Sequence, residues 1–211
     1  MKILKFPLGQ LQANCYFLIE EDNCLVIDPG DEAAFILEEL QRRRLKLIGM
    51  LATHGHFDHI MAAGEIQASI NVPLYINKKD KFLLDRTIET VEYFLGYKPT
   101  IIKPITVKYL TVRQLIINNY QLIIILSPGH TPGGCAFYFP NNKTIFTGDT
   151  LFKGEVGRYD FPYCSKKDLK NSLKKLSKLP KETVVHPGHG EETTIKEEKQ
   201  NIDKFLNFLN S

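Results

Sequence analysis

The chain has no long apolar run. None of its hydrophobic stretches approaches the roughly 18–20 residues that cross a bilayer, so no membrane span is expected. Its start, MKILKFPLGQ, lacks the extended apolar stretch and small-residue cleavage site of an export signal, and a cytoplasmic location is expected. It has only four cysteines, Cys15, Cys24, Cys135 and Cys164, in no C-x-x-C pair. Without an export signal these read as reduced thiols, small buried hydrophobes rather than a disulfide framework. Excess charge is small as well. Against 24 Asp and Glu stand 27 Lys and Arg, leaving +3 on 211 residues. That is too little to argue for nucleic acid or a membrane surface as partner. Repeats, low-complexity tracts and linker-like composition are missing too, so one domain over residues 1–211 is expected, long enough to bury a core of its own.

What is present is a run of short β-type segments in two batches. The first holds ILKFPL, CYFLIE, CLVID, KLIGMLAT and VPLYIN; the second holds ITVKYLTV, YQLIIILS, CAFYFP, KTIFTGD and TVVHPGHG. Helices accompany both. DEAAFILEELQRRR is amphipathic, with acids early and arginines late, as the helix dipole favours. A helix is expected from Asp58 to about Ile70, and a helical excursion with aromatic tips (Tyr93, Phe94, Tyr97) between Lys78 and Lys103. SKKDLKNSLKKLSKL places Leu169, Leu173 and Leu176 on one face and its lysines on a solvated one, and TTIKEEKQNIDKFLNFL closes the chain as a helix. Two sheets packed face to face with helices outside is the expected α/β (α+β) architecture.

Histidine is scarce, six in all, yet three of them fall within His54-Gly55-His56-Phe57-Asp58-His59. Imidazoles that close are costly to bury unless something accepts their lone pairs, and a divalent metal does so. His54 and His56 can chelate one ion from the turn. Asp58 and His59, at the next helix start, can begin a second site. Three further candidates, His130, Asp149 and His189, sit at strand ends beside glycine, where backbone can approach closely. A carboxylate has two oxygens, so Asp149 can bridge two ions, and with a bridging water the set forms a dinuclear hydrolytic site. A closed structural zinc is disfavoured, because no cysteine neighbours the cluster.

THGHFDH, PGHT, FTGDTLF and PGHG resemble the metallo-β-lactamase superfamily, whose hallmark is H-x-H-x-D-H. The match runs nearly end to end and includes the DPG at Asp28. GDTLFKGEVGRYDFP and GHGEETTIKEEKQN are similar to the short glyoxalase-II-like (hydroxyacylglutathione hydrolase-like) hydrolases. The resemblance implies a four-layer αββα sandwich with two divalent metal ions. His54, His56 and His130 would hold one ion, Asp58, His59 and His189 the other, and Asp149 would bridge. Zinc comes first, with iron or manganese compatible. By the same resemblance Asp28 orients a ligand, although a turn residue before Pro29-Gly30 has a sufficient structural reason of its own. His186 matches no family ligand and reads as a structural or surface histidine. Arg158 suits the carboxylate of an anionic substrate, or an ordinary surface ion pair.

The function this implies is thioester hydrolysis, with S-lactoylglutathione the family's best-known substrate. A metal-bridging hydroxide would attack the carbonyl, Asp58 and Asp149 would fix that hydroxide, and the thiolate would leave with little protonation help. The expected partner is therefore a small-molecule thioester, with no nucleic acid and no membrane. Glyoxalase II proper resembles this chain plus a longer helical C-terminal extension that supplies much of the glutathione grip. Only one helix follows GHG here, so a weak hold on glutathione is expected. The alternative reading is a mononuclear iron persulfide dioxygenase of the same superfamily. Its relatives share H-x-H-x-D-H and a G-R-T-D-F segment close to GRYDF, but carry an alanine-histidine-aspartate run where this chain has Pro187-Gly188-His189-Gly190.

Overall fold

The computed structural model describes residues 1–110 and 113–208. Strands β1 (Lys2–Leu8) and β2 (Ala13–Glu20) form an antiparallel hairpin, and β3 (Asn23–Ile27) adds antiparallel to β2. Beyond β3 the connections become helical and the pairing turns parallel, since parallel neighbours need a crossover rather than a tight turn. Helix α1 (Ala33–Arg42) leads to β4 (Lys46–Leu51). Helices α2 (Phe57–Ile60) and α3 (Ala63–Ser69) lead to β5 (Leu74–Ile76), and α4 (Lys81–Asp85) and α5 (Thr87–Leu95) lead to β6 (Val107–Tyr109). The order of this sheet is β1-β2-β3-β4-β5-β6.

The second sheet begins with β7 (Gln114–Ile117) and continues through β8 (Tyr120–Leu126), β9 (Cys135–Phe139) and β10 (Thr144–Gly148). Helix α6 (Lys166–Leu176) then carries the chain to β11 (Val184–Pro187), parallel to β10, and β12 (Thr193–Thr194) precedes α7 (Ile195–Phe208). The order is β12-β11-β10-β9-β8-β7. By internal contacts the chain forms two compact units, Met1–Thr111 with Ile117–Asn119, and Val112–Ile116 with Tyr120–Ser211.

Each unit has its own apolar core. In the first, Phe17, Val26, Met50 and Leu74 of the sheet pack with Ile36 and Leu40 of α1 and Ile66 of α3. In the second, Ala136, Ile145 and Val185 pack with Leu169, Leu173 and Leu176 of α6 and Ile195 and Ile202 of α7. The three α6 leucines are fully buried, each stabilising the fold by about 1.5–3 kcal/mol relative to exposure. Ser165 caps that helix by accepting the Asp168 N–H at 3.2 Å, satisfying a donor that would otherwise have no partner within the helix.

Several segments depart from the sequence expectation: β7 has no counterpart in it, and Thr193 and Thr194, expected to open the closing helix, form β12. The helix expected from Asp58 to Ile70 breaks at Met61 and Ala62. There the Ala62 N–H bonds to the Pro29 carbonyl at 3.1 Å instead of to Asp58, four residues back. Gly30 lies so close that a Cβ on it would stand 1.8 Å from the Asp58 carbonyl oxygen. Helical structure in the excursion ends at Leu95, because Gly96 takes a left-handed conformation (φ 75°) that closes the helix. Its aromatic tips Tyr93, Phe94 and Tyr97 are exposed, Tyr93 most of all. The strand expected at ITVKYLTV is described only as the short β6, and its Thr111 and Val112 lie outside the described residues. Among the described residues no helix is long and apolar enough to cross a membrane.

Candidate metal centre

In the first unit the His54–His59 stretch runs from the end of β4 through a turn into α2. Asp28, at the end of β3, organises it from below. This carboxylate is 1 % exposed and sits at φ 53°, a left-handed conformation an aspartate tolerates better than most residues. Its Oδ1 accepts the Thr53 N–H at 2.7 Å and its Oδ2 the Thr53 hydroxyl at 2.8 Å. The same Oδ2 lies 3.0 Å from His59 Nδ1. A carboxylate only accepts, so His59 carries its proton on Nδ1 and presents the Nε2 lone pair outward.

The hydrogen-bond chain fixes His54 in the same way. Because Thr53 Oγ1 gives its proton to Asp28, its oxygen accepts from His54 Nδ1 at 3.0 Å. The lone pair of His54 is therefore on Nε2, which lies 3.0 Å from His56 Nδ1. His59 Nε2 in turn lies 3.5 Å from Asp58 Oδ2. Asp80, fully buried, accepts the Gly55 N–H at 2.9 Å and pins the turn between the two histidines.

In the second unit His130 follows β8, Asp149 follows β10 and His189 follows β11. His130 Nδ1 donates to the Arg158 carbonyl at 2.9 Å, which again leaves Nε2 as the outward nitrogen. That Nε2 is 3.5 Å from Asp149 Oδ2, and His189 Nε2 is 3.7 Å from the same oxygen. The segment bearing Arg158 is held tightly: a Cβ on Gly157 would stand 1.7 Å from the Asp149 carbonyl oxygen. Cys164 donates its S–H to the His130 carbonyl at 3.0 Å, and burial pushes its thiol pKa up.

These spacings fit a metal. Ligand atoms about 2.0–2.2 Å from a tetrahedral ion stand roughly 3.3–3.6 Å from one another. The ring-nitrogen and carboxylate-oxygen pairs at 3.0, 3.5, 3.5 and 3.7 Å bracket that value. Asp149 Oδ2 meets two histidine nitrogens, the arrangement a shared ligand needs. Imidazoles oriented through their far nitrogen by a carboxylate or carbonyl are also the usual form of metal-binding histidine.

Within its own unit each of the seven sequence-identified residues faces another of the set. His54, His56, Asp58 and His59 are grouped in the first, and His130, Asp149 and His189 in the second. His186 stands apart from them as a structural residue, buried, stacked 4.7 Å from the Phe146 ring and 3.0 Å from Glu192 through Nδ1. Sequence reading missed Thr53, Asp80 and the Arg158 carbonyl. Thr53 directly precedes the histidine run and was open to suspicion as a hydroxyl beside it. Asp80 meets Gly55 across 25 residues of chain, with no local signal.

Arg158 itself is exposed at its head. Its Nε and Nη2 donate to the two oxygens of Asp160 at 2.9 and 2.8 Å, and its Cζ lies 4.4 Å from the Phe161 ring centre.

The family model of the metallo-beta-lactamase superfamily matches residues 8–189. The hydroxyacylglutathione hydrolase GloC of Haemophilus influenzae is 35% identical to this chain over 212 residues, covering 98% of this chain and 99% of that protein. A Bacillus subtilis protein named "Probable metallo-hydrolase YqgX" is 35% identical over 209 residues, covering 98% of each. Among solved structures, TTHA1623 in a di-iron-bound form superposes with a TM-score of 0.86 at 37% identity, covering 94% of this chain and 98% of that one. With the two mixed sheets, their helices and a histidine–aspartate set at strand ends, these matches establish the fold and the ancestry together: the chain belongs to the metallo-beta-lactamase superfamily of metal-dependent hydrolases.

Proposed function

We propose that the chain is a dinuclear metal-dependent thioesterase, with S-lactoylglutathione, cleaved to lactate and glutathione, as the representative substrate. In this reading His54, His56 and His130 hold one ion, Asp58, His59 and His189 the other, and Asp149 serves both. Zinc is the first expectation; iron and manganese suit the same imidazole and carboxylate donors, and a similar protein has been solved with two irons. The observation that carries the reading is the donor spacing of 3.0–3.7 Å within each unit, with His54, His59 and His130 already oriented through Nδ1. Similarity to GloC over nearly its whole length supports the thioester.

When bound, the two ions would lower the pKa of water toward neutrality and polarise a carbonyl oxygen. The remaining work falls to this chain's own groups. Asp58 and Asp149 would fix the attacking water by accepting its O–H hydrogen bonds. Arg158, tied through its carbonyl to His130, would meet a carboxylate on the substrate. Phe161 and Tyr163, ring centres 6.0 Å apart, offer apolar surface to the thiol carrier. A thiolate is a good leaving group, so no positioned acid is required. The proposed partner is a small molecule, without nucleic acid or membrane, and the proposed location is the cytoplasm.

Metal analysis of the purified protein, paired with S-lactoylglutathione hydrolysis, tests the reading. Two equivalents of metal per chain and release of glutathione are expected. Zinc-replete protein that never exceeds one equivalent overturns the dinuclear centre. Metal-loaded protein that turns over no thioester overturns the substrate class.

A further inference from the structure

We propose that Asp160 sets the selectivity of this site among thiol carriers, by occupying the guanidinium edge of Arg158 that a carrier carboxylate would otherwise take. The proposal rests on the thioesterase reading and adds to it a residue that works against anionic carriers.

Arg158 is placed with little freedom at its backbone. Its carbonyl accepts from His130, and Gly157 before it packs against the Asp149 carbonyl and bonds to Thr150 at 3.3 Å. The residue is thus anchored to the groups that carry two of the proposed ligands, and its side chain projects from that anchor into solvent. The guanidinium is 62 % exposed and the Asp160 carboxylate 61 %. Their two parallel bonds use the Nε–Nη2 edge, a fork that matches a carboxylate. Phe161 covers one face of the same guanidinium. What remains is the Nη1 side of a cation whose charge is already compensated.

An incoming carboxylate must therefore displace Asp160 or bind a neutralised pair, and either lowers affinity for an anion. Asp160 is an anion at neutral pH, since the Arg158 guanidinium beside it holds its carboxyl below the usual carboxylate range. Exposed ion pairs are weak enough to exchange partners, so the pair acts as a brake and not as a block. An uncharged carrier has nothing to exchange and does not feel it.

The test compares S-lactoylglutathione with S-lactoyl-N-acetylcysteamine, an uncharged carrier, in the metal-loaded wild type and in Asp160→Asn, Arg158→Gln and the double variant. Asp160→Asn is expected to lower the KM for the glutathione thioester, relative to the uncharged one, by about two- to fivefold. Arg158→Gln is expected to raise that ratio, and in its background Asp160→Asn should no longer shift it. A ratio unmoved by Asp160→Asn makes this an ordinary surface pair and overturns the proposal. A ratio raised by it makes Asp160 an organiser of Arg158, which also overturns it. Equilibrium binding of the inert thioethers S-methylglutathione and N-acetyl-S-methylcysteamine provides a readout independent of turnover. If the wild type hydrolyses neither thioester, the thioesterase reading fails, while tighter S-methylglutathione binding by Asp160→Asn still upholds the brake. Equal binding by the two proteins, or none by either, overturns it.

Discussion

Replacing Asp28 with asparagine changes one oxygen to an NH2 group and should invert two imidazoles. In the native chain Oδ1 accepts the Thr53 N–H, and Oδ2 accepts both the Thr53 hydroxyl and His59 Nδ1. An asparagine oxygen can keep the Thr53 N–H, which puts its NH2 where Oδ2 was. That group only donates. His59 Nδ1 must then accept, moving its proton to Nε2. Thr53 Oγ1, now receiving a hydrogen bond, turns its own proton toward His54 Nδ1, and His54 also becomes protonated at Nε2. Both outward lone pairs are lost without moving a heavy atom. Removing such an outer partner of a ligating histidine typically weakens metal binding about 10- to 100-fold, or roughly 1.4–2.7 kcal/mol. The metal-free fold should be little affected, because the substitution is isosteric and removes a buried charge. The assay is a competitive metal titration of Asp28→Asn against wild type, with thermal melts of the metal-free proteins. Unchanged metal affinity would refute the tautomer argument. Weakened affinity with a collapse of the metal-free melting point would show that Asp28 is structural first.

Other consequences are as direct. Gly157→Ala places a Cβ against the Asp149 carbonyl; overpacking of about 1–3 kcal/mol or more should lower the melting point by roughly 2–12 °C, and an unchanged midpoint would contradict that close approach. Asp149→Ala should cost more activity than His186→Ala, since Asp149 meets two histidine nitrogens whereas His186 packs against Phe146 and Glu192; equal losses in steady-state assays would sink the bridging assignment. Burial raises the Cys15 thiol pKa well above its ordinary value and that of Cys24 to about 12. A thiol reagent at pH 8 should therefore reach half-buried Cys164 first and the other three cysteines only on unfolding. Rapid native labelling of Cys15 or Cys24, mapped by mass spectrometry, would contradict this.

The parts of the molecule legible in sequence are those decided by side-chain identity or by local period. The leucines of α6 announce their buried face because three turns of helix repeat the pattern before any tertiary contact is known. His54, His56, Asp58 and His59 stand out as candidates because they crowd into six residues, and His130, Asp149 and His189 because each stands beside glycine just past a strand. The break between α2 and α3 has no such local mark. It follows from Gly30 pressing on the Asp58 carbonyl and Pro29 taking the Ala62 N–H, an event between chain segments some thirty residues apart. Asp80 beneath Gly55 was hidden for the same reason. Conversely, Gly157 was visible as a glycine but not as a contact, since only the folded chain shows that the Asp149 carbonyl lies against it.

The three oriented histidines are not held alike, and the difference bears on what each can contribute. His59 donates to a buried carboxylate, His54 to a hydroxyl that itself leans on that carboxylate, and His130 to a backbone carbonyl. A negative acceptor enriches the imidazole more than a neutral one, raising the basicity of the nitrogen opposite. Along this series the outward Nε2 should weaken as a donor from His59 to His54 to His130. Buried Asp28 supports the first two through a single side chain, whereas the third depends on the placement of Arg158. A displaced Arg158 carbonyl would therefore act on His130 directly. In the proposed reading, the residue that would meet a substrate carboxylate once Asp160 yields its guanidinium edge is thus also the one whose carbonyl orients His130. On that reading a substrate drawing on the Arg158 side chain would pull on a backbone already bonded to His130, so carrier recognition and the orientation of that imidazole would share one short stretch of chain.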